Sequence, residues 1–216
     1  MHFLSYALIA VASYLLGSIP TGFLVARVKG IDIRKVGSGN IGATNALRVL
    51  GKPAGILVLL VDALKGWVAV RVVAMLIVEP FSSPDLLGGD RVFAAIVASL
   101  FAVLGHNYPC WLGFKGGKGI ATSAGVLTAL VPWALLIILS VWIVLFVATR
   151  YVSIGSLAAS ATLPFATWLT TRDWTLTAVT GAMGVLAIYK HKGNIQRLMN
   201  GTEPRFGQKK PEEAAQ

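Results

Sequence analysis

The chain has 216 residues, of which 56% are hydrophobic and 13% charged, and its formal net charge is +10. Soluble domains carry about 25% charged residues, so this composition, with a mean hydropathy of +0.73, excludes an ordinary water-soluble domain and predicts an integral membrane protein. A single cysteine, Cys110, excludes an intrachain disulfide and a cysteine-based metal cluster.

The first apolar run, Phe3 to Ala26, imitates a signal-peptide core but lacks a basic n-region and continues too far. It reads as a retained first span. Gly17-Ser18-Ile19-Pro20 interrupts it near its C-terminal end, either as a bare kink or as a polar break lining a site.

Residues 27–52 form a basic loop containing Gly37-Ser38-Gly39-Asn40-Ile41-Gly42-Ala43-Thr44-Asn45. The glycines permit close backbone approach to a ligand, and the polar side chains donate hydrogen bonds. Thr44 or Asn45 is expected to cap a short helix that ends at Gly51 before Pro53. On it, Arg48 can grip a phosphate with two parallel N–H bonds. The bland alternative is a flexible loop.

A second span is predicted from Pro53 to Glu79. Asp62 and Lys65 share one of its faces, as a buried helix-locking ion pair or as ligand contacts. Pro80 to Asp90 reads as an acidic turn-rich loop, followed by a third span from Arg91 to Tyr108.

The stretch from Gly105 to Gly125 then gathers His106, Lys115, Lys118 and six glycines. Lys115 and Lys118 bracket Gly116-Gly117, and a helix begins at Gly119, whose free N–H groups and positive dipole end suit an anion. This is not a Walker A loop, because Leu112 and Gly119 stand where that pattern needs Gly and Ser or Thr. A turn in a positively charged cytoplasmic loop is the competing reading.

Gly119 to Thr149 carries no charge and is broken by Pro132. Two crossings here give seven spans with the N-terminus outside. All Lys and Arg then lie inside, except Arg91 and Arg172 outside and Lys65 and Arg71 within the membrane. A single crossing would place Arg150 and the basic C-terminal tail outside. Gly119–Val131 is nevertheless short, about 20 Å at 1.5 Å per residue. Arg150 to Ser156 forms a third inside loop. The sixth span ends near Thr171 and the seventh covers Trp174–Tyr189. His191, Asn194 and Arg197 recur every third residue beyond it, close to one helix face, as a site or as a basic helix on anionic lipid. Residues 204–216 are expected to be a disordered polar tail behind one membrane-embedded domain, 1–203.

Every polar glycine-rich segment thus falls on the cytoplasmic side. That suits an enzyme taking one soluble phosphorylated substrate and one greasy one better than a carrier or channel for organic phosphates, whose site belongs at the midplane between repeats.

The chain resembles the bacterial acyl-phosphate:glycerol-3-phosphate acyltransferases of phospholipid synthesis over about residues 5–203. The resemblance rests on Gly17-Ser18-Ile19-Pro20, Gly37 to Asn45 with Arg48, and Asp62 with Lys65-Gly66. It continues through Gly105-His106 with Phe114 to Gly119, Arg150 with Ser153 and Ser156, and His191-x-x-Asn194-Ile195-x-Arg197-Leu198 with Gly201 and Glu203. It implies an all-α, seven-span enzyme of the bacterial cytoplasmic membrane with a short interfacial helix. Its partners would be fatty acyl phosphate, sn-glycerol 3-phosphate and the bilayer, with no nucleic acid, cofactor or metal. The reaction would move the acyl group to the 1-hydroxyl of glycerol 3-phosphate, giving lysophosphatidate and inorganic phosphate. Carried over, Lys118, Ser153, Ser156 and His191 are catalytic. Ser38, Gly39, Asn40, Asn45, Arg48, Lys115, Gly116, Gly117 and Asn194 bind substrate. The thioester-type His-x-x-x-x-Asp pattern is absent, since Trp111 follows His106 and Gln196 follows His191 at that spacing. An acyl phosphate has its own leaving group. The leaving phosphate is therefore expected to accept the hydroxyl proton, with His191 holding the glycerol phosphate and His106 fixing the loop.

Overall fold

The structure, a computed structural model, describes residues 2–78 and 87–207. Among them there is no strand; the chain is a bundle of helices. The first span is α1 (His2–Gly17) and α2 (Thr21–Val28), broken where expected. Pro20 has no N–H to continue the ladder, so α2 restarts after it. A short helix α3 (Ala43–Leu50) leads through Gly51 into α4 (Lys52–Val68), which continues through a π-helical segment, Ala69–Val73, into α5 (Ala74–Val78). Glu79 and most of the predicted acidic loop lie outside the described residues. The third span, α6 (Leu87–Asn107), begins four residues before the expected Arg91, because Asp90 continues the helix and accepts from the Tyr6 hydroxyl at 2.8 Å.

Pro132 does divide the uncharged stretch: α7 (Ile120–Leu130) stops at Val131 and α8 (Pro132–Thr149) starts with the proline in its first turn. Then come α9 (Val152–Thr171), α10 (Trp174–Lys190) and α11 (Lys192–Met199). Four segments, Phe3–Val28, Asp90–Leu112, Pro132–Thr149 and Val152–Thr171, are long and apolar enough to cross a membrane, and Ile120–Leu130 is a shorter apolar helix.

Helices meet through small residues. Gly17 lies against the backbone of Ala102 and Gly105 against that of Tyr14, so α1 and α6 touch backbone to backbone; Gly66 and Gly125 do the same for α4 and α7. The core gathers Ile9, Val70, Val103, Leu127 and Leu163. α8 packs on α9 while Trp133, Val144 and Val147 face outward, an apolar exterior suited to lipid.

Residues 204–207 depart from the expected tail. The Phe206 N–H donates to the Arg150 carbonyl at 2.8 Å, its ring meets Phe146 edge-on at 5.3 Å, and Arg205 donates to the Tyr151 hydroxyl at 3.1 Å. The edge-on ring contact with α8 and the backbone hydrogen bond hold this segment; 208–216 lie outside the described residues.

Candidate active site

Four helix N-termini face one cavity of about 350 Å³: Gly42 to Asn45 of α3, Gly119 to Ala121 of α7, Val152 and Ser153 of α9, and His191 and Asn194 around the start of α11. Each presents first-turn N–H groups without intrahelical partners, and their dipoles add a positive field. Arg48, Lys118 and Arg197 line the same wall. Such a basin suits an anion, and its size lies within the usual range for small-molecule sites.

The first glycine-rich loop is fastened from within. The Asn45 carbonyl oxygen accepts the Ser38 N–H at 2.8 Å, while its amide donates to the carbonyls of Asn40, Val36 and Ile33 at 2.9, 3.1 and 3.3 Å. The expected cap is corrected accordingly. Gly42 is the N-cap of α3 and offers no side chain; Thr44 and Asn45 sit in the first turn. Asn45 reaches the cavity wall, but its amide is committed to the loop, so it shapes the site rather than reading a ligand. Its work leaves Ser38, Asn40 and Arg48 along the cavity. Gly39 is not in the wall, and its N–H goes to Val36 at 3.0 Å.

The second glycine-rich loop divides differently from expectation. The Gly116 N–H donates to the Asn107 carbonyl at 3.2 Å and the Gly117 N–H to the His106 carbonyl at 3.1 Å. These bonds satisfy the open C-terminal carbonyls of α6, which removes both amides from an anion cradle. Lys115 is exposed and stands outside the cavity wall. Where substrate contacts were expected from Lys115, Gly116 and Gly117, the structure has a capping turn and an outward lysine. Lys118 alone enters, because Gly119, at φ +79°, turns the chain directly into α7.

Lys118 donates to the Asn194 side-chain oxygen. The Asn194 amide donates to Glu203 at 2.6 Å, and Arg197 Nε donates to the other Glu203 oxygen at 2.7 Å. Burial holds the Lys118 ammonium down to about pKa 8; the Glu203 carboxylate opposes the shift, while Arg197, Arg48 and Lys190 add to it. Burial raises the Glu203 carboxyl, but Asn194, the nearby Ser153 hydroxyl and Arg197 bring it below the usual range.

The two serines are not equivalent. Ser156 donates to the Val152 carbonyl at 2.9 Å and accepts from Trp142 Nε1 at 3.3 Å. The Ser153 hydroxyl, 3% exposed, lies near the Glu203 carboxylate without completing a well-formed hydrogen bond, and it lines the cavity. A buried hydroxyl held so loosely at an anion basin is an available donor.

His191 stands in the same cavity wall. Its Nδ1 lies 2.7 Å from the Ala187 carbonyl, so Nδ1 carries the proton and Nε2 bears the lone pair. Burial and then Lys118 push its pKa down to about 4. In the neutral ring the bare Nε2 accepts a hydrogen bond.

Sequence reasoning noted Arg197 and Glu203 without assigning them to the site, and missed Trp142 and Phe206. The three-residue spacing from His191 carried the signal for Arg197. Trp142 and Phe206 had none, since they belong to an apolar span and to the tail.

A second, apolar cavity of about 90 Å³ lies among α7 to α10 and shares Ile120, Ala124, Leu139, Trp142 and Ser156 with the first. Leu127, Leu135, Leu163 and Met183 extend it. No three His, Cys, Asp or Glu side chains group to hold a metal among the described residues.

The family model described as glycerol-3-phosphate acyltransferase matches residues 7–201. A protein of that name from Thermosynechococcus vestitus is 44% identical over 201 residues, 93% of this chain and 94% of the relative. One from Clostridioides difficile is 45% identical over 212 residues, 97% of this chain and all of the relative. The crystal structure of PlsY (YgiH), an integral membrane glycerol 3-phosphate acyltransferase, in its glycerol 3-phosphate form superposes with a TM-score of 0.82 at 39% identity, covering 94% of this chain and 96% of that one. The lysophosphatidic acid form gives 0.80 at 36% identity, with the same coverage.

Proposed function

The chain belongs to the glycerol-3-phosphate acyltransferase family, and on that premise we propose that it transfers a fatty acyl group from acyl phosphate to the 1-hydroxyl of sn-glycerol 3-phosphate. One observation carries the reading: the apolar groove opens from the same wall as the cation cluster. A donor with a greasy chain and a phosphate head fits that junction, with its chain in the groove and its phosphate among the helix N-termini. The named ligands of the PlsY crystal forms, glycerol 3-phosphate and lysophosphatidic acid, are an acceptor and a product of this chemistry.

Two phosphorylated substrates bring about three to four negative charges together, which Arg48, Lys118, Arg197 and the helix N–H groups offset. Ser38 and Asn40 extend from the first loop toward the glycerol phosphate with Arg48. Ser153 and Lys118 hold the acyl-phosphate head, Asn194 orients Lys118, and Ser156 holds Trp142 at the mouth of the groove. His191 Nε2 accepts from the 2-hydroxyl and so orients the glycerol. The 1-hydroxyl oxygen attacks the acyl carbonyl, the acyl carbon–oxygen bond to phosphate breaks, and the leaving phosphate takes the hydroxyl proton. Lysophosphatidate and inorganic phosphate result.

The charge distribution supports seven spans in the bacterial cytoplasmic membrane, with the N-terminus outside, the C-terminus inside and the cavity open to the cytoplasm. Six of the crossings would be α1–α2, α4–α5, α6, α8, α9 and α10; α7 is the short one and α11 lies in the interface. Purified protein in detergent should release phosphate from acyl phosphate only when glycerol 3-phosphate is added. A carrier releases none.

A further inference from the structure

Beneath the cavity lies a buried polar cluster that the proposed chemistry leaves unused. Lys65 Nζ has three acceptors: Asp62 Oδ1 at 2.8 Å, the Ile19 carbonyl at 2.9 Å and His106 Nδ1 at 3.0 Å. An ammonium has three donors, so each is matched. Because Lys65 can only donate, Nδ1 of His106 accepts and the imidazole proton sits on Nε2. His106 Nδ1 is 3.6 Å from Asp62 Oδ1, too far for a hydrogen bond. Asp62 also accepts from the Thr21 hydroxyl at 2.9 Å. Asp62, Lys65 and His106 are each no more than 5% exposed. The Ile19 carbonyl lies in the break between α1 and α2, so the interrupted first span supplies Lys65 with one of its acceptors.

The cluster reaches the site through His106. Its ring lies against Gly117, where a Cβ would collide with Nε2, and its carbonyl takes the Gly117 N–H. The next residue is Lys118. Asp62 and His106 themselves form part of the cavity wall.

We infer that Asp62, Lys65 and His106 are positioning residues for acyl transfer: they lock the α1–α2 break, α4 and the end of α6 together, and thereby fix the Gly116–Gly119 turn that presents Lys118 to substrate. A fully matched buried network specifies one geometry, and one lost partner leaves its neighbours unmatched. His106→Leu removes the Nδ1 acceptor and the ring that abuts Gly117. Thr21→Val removes only the donor to Asp62 and lies away from Lys118.

The inference rests on Lys118 binding a substrate phosphate, and the test separates the two. The groups acting on Lys118 are Asn194, Glu203, Arg197, Arg48 and Lys190, with His191 nearby. The readout is the pH at which KM for acyl phosphate begins to rise, expected near 8 in the wild type. In His106→Leu the turn loosens, Lys118 gains water and that point moves up by about one pH unit or more, toward the ordinary lysine value. A merely structural role lowers the active fraction and leaves the point where it was. If His106→Leu cannot be recovered folded, Thr21→Val decides by a smaller displacement in the same direction. A limb still at about pH 8 in the recovered variant overturns the inference. A limb that persists in Lys118→Met overturns the reading of Lys118 instead.

Discussion

Lys118 and Asn194, 76 positions apart, are joined by a hydrogen bond from the ammonium to the side-chain oxygen. The bond ties the turn before α7 to the first turn of α11, and Asn194 passes it on to Glu203 and Arg197. Lys118 and Arg197 therefore belong to one connected unit drawn from the middle and the C-terminal part of the chain, with Arg48 standing apart from it.

The depressed lysine sets a pH window. Lys118 loses its proton as pH rises through about 8 rather than 10.5. Affinity for phosphorylated substrate should be level below that pH and fall above it, appearing as rising KM; bound phosphate raises the lysine pKa, so kcat falls later. Steady-state kinetics from pH 6.5 to 9.5 should show this. Lys118→Met should lack the limb and lose about tenfold to a hundredfold in kcat/KM, the worth of a charge-assisted contact.

Arg48 lines the cavity from the last turns of α3 and makes no hydrogen bond or ion pair within the described residues. A guanidinium so placed is free to form a two-pronged phosphate contact. Arg48→Lys keeps the charge and loses the fork, so kcat/KM at limiting glycerol 3-phosphate should drop about tenfold or more. Kinetics close to wild type would make Arg48 a topology signal only.

Ser153 and Ser156 should separate cleanly. The Ser153 hydroxyl is held only loosely, near Glu203, and the Ser156 hydroxyl already serves Val152 and Trp142. Ser153→Ala should lower kcat/KM for acyl phosphate by about tenfold, one hydrogen bond to a charged group. Ser156→Ala should act more weakly, through looser placement of Trp142, and should change acyl-chain preference before turnover.

The motifs were legible because their chemistry is local. Pro20 and Pro132 stand where one helix ends and the next begins, although Pro164 is carried inside α9; the Asp62–Lys65 spacing pairs charges on one helix face, and Arg48 follows a glycine loop that Asn45 knots. The division of labour inside the second loop was not legible. Whether Gly116 and Gly117 cradle a ligand or cap α6 depends on where α6 ends in space, and both uses want glycine. Trp142 and Phe206 enter the site only through packing of α8 on α9 and of the tail on α8. Periodicity does not carry that information. The tautomer of His191 depends on the Ala187 carbonyl one turn earlier, which the sequence places but does not orient.

Topology is tested by labelling. A cysteine at Glu213, outside the described residues, or at Arg205 should be shielded from an impermeant reagent in intact cells and labelled in inverted vesicles. One at Arg172, in the turn between α9 and α10, should behave oppositely. Labelling of Glu213→Cys from outside would reverse the assignment and place the cavity on the wrong face for a cytoplasmic substrate.

His191 gives the last test. Its folded pKa, about 4, lies below the ordinary 6.5. Between those values the unfolded chain binds a proton that the native chain does not, so stability rises with pH across the window and is lost as pH falls from about 6.5 toward 4. His191→Gln should flatten that acid-side slope of Tm. At the site, the Nε2 lone pair accepts from the glycerol 2-hydroxyl, and a ring this weakly basic is a poor proton acceptor near neutral pH. His191→Gln should therefore raise KM for glycerol 3-phosphate, retain measurable kcat at saturation and keep the wild-type pH–rate limbs. Loss of turnover at saturating substrate, with binding intact, would instead make His191 the base and remove that role from the leaving phosphate.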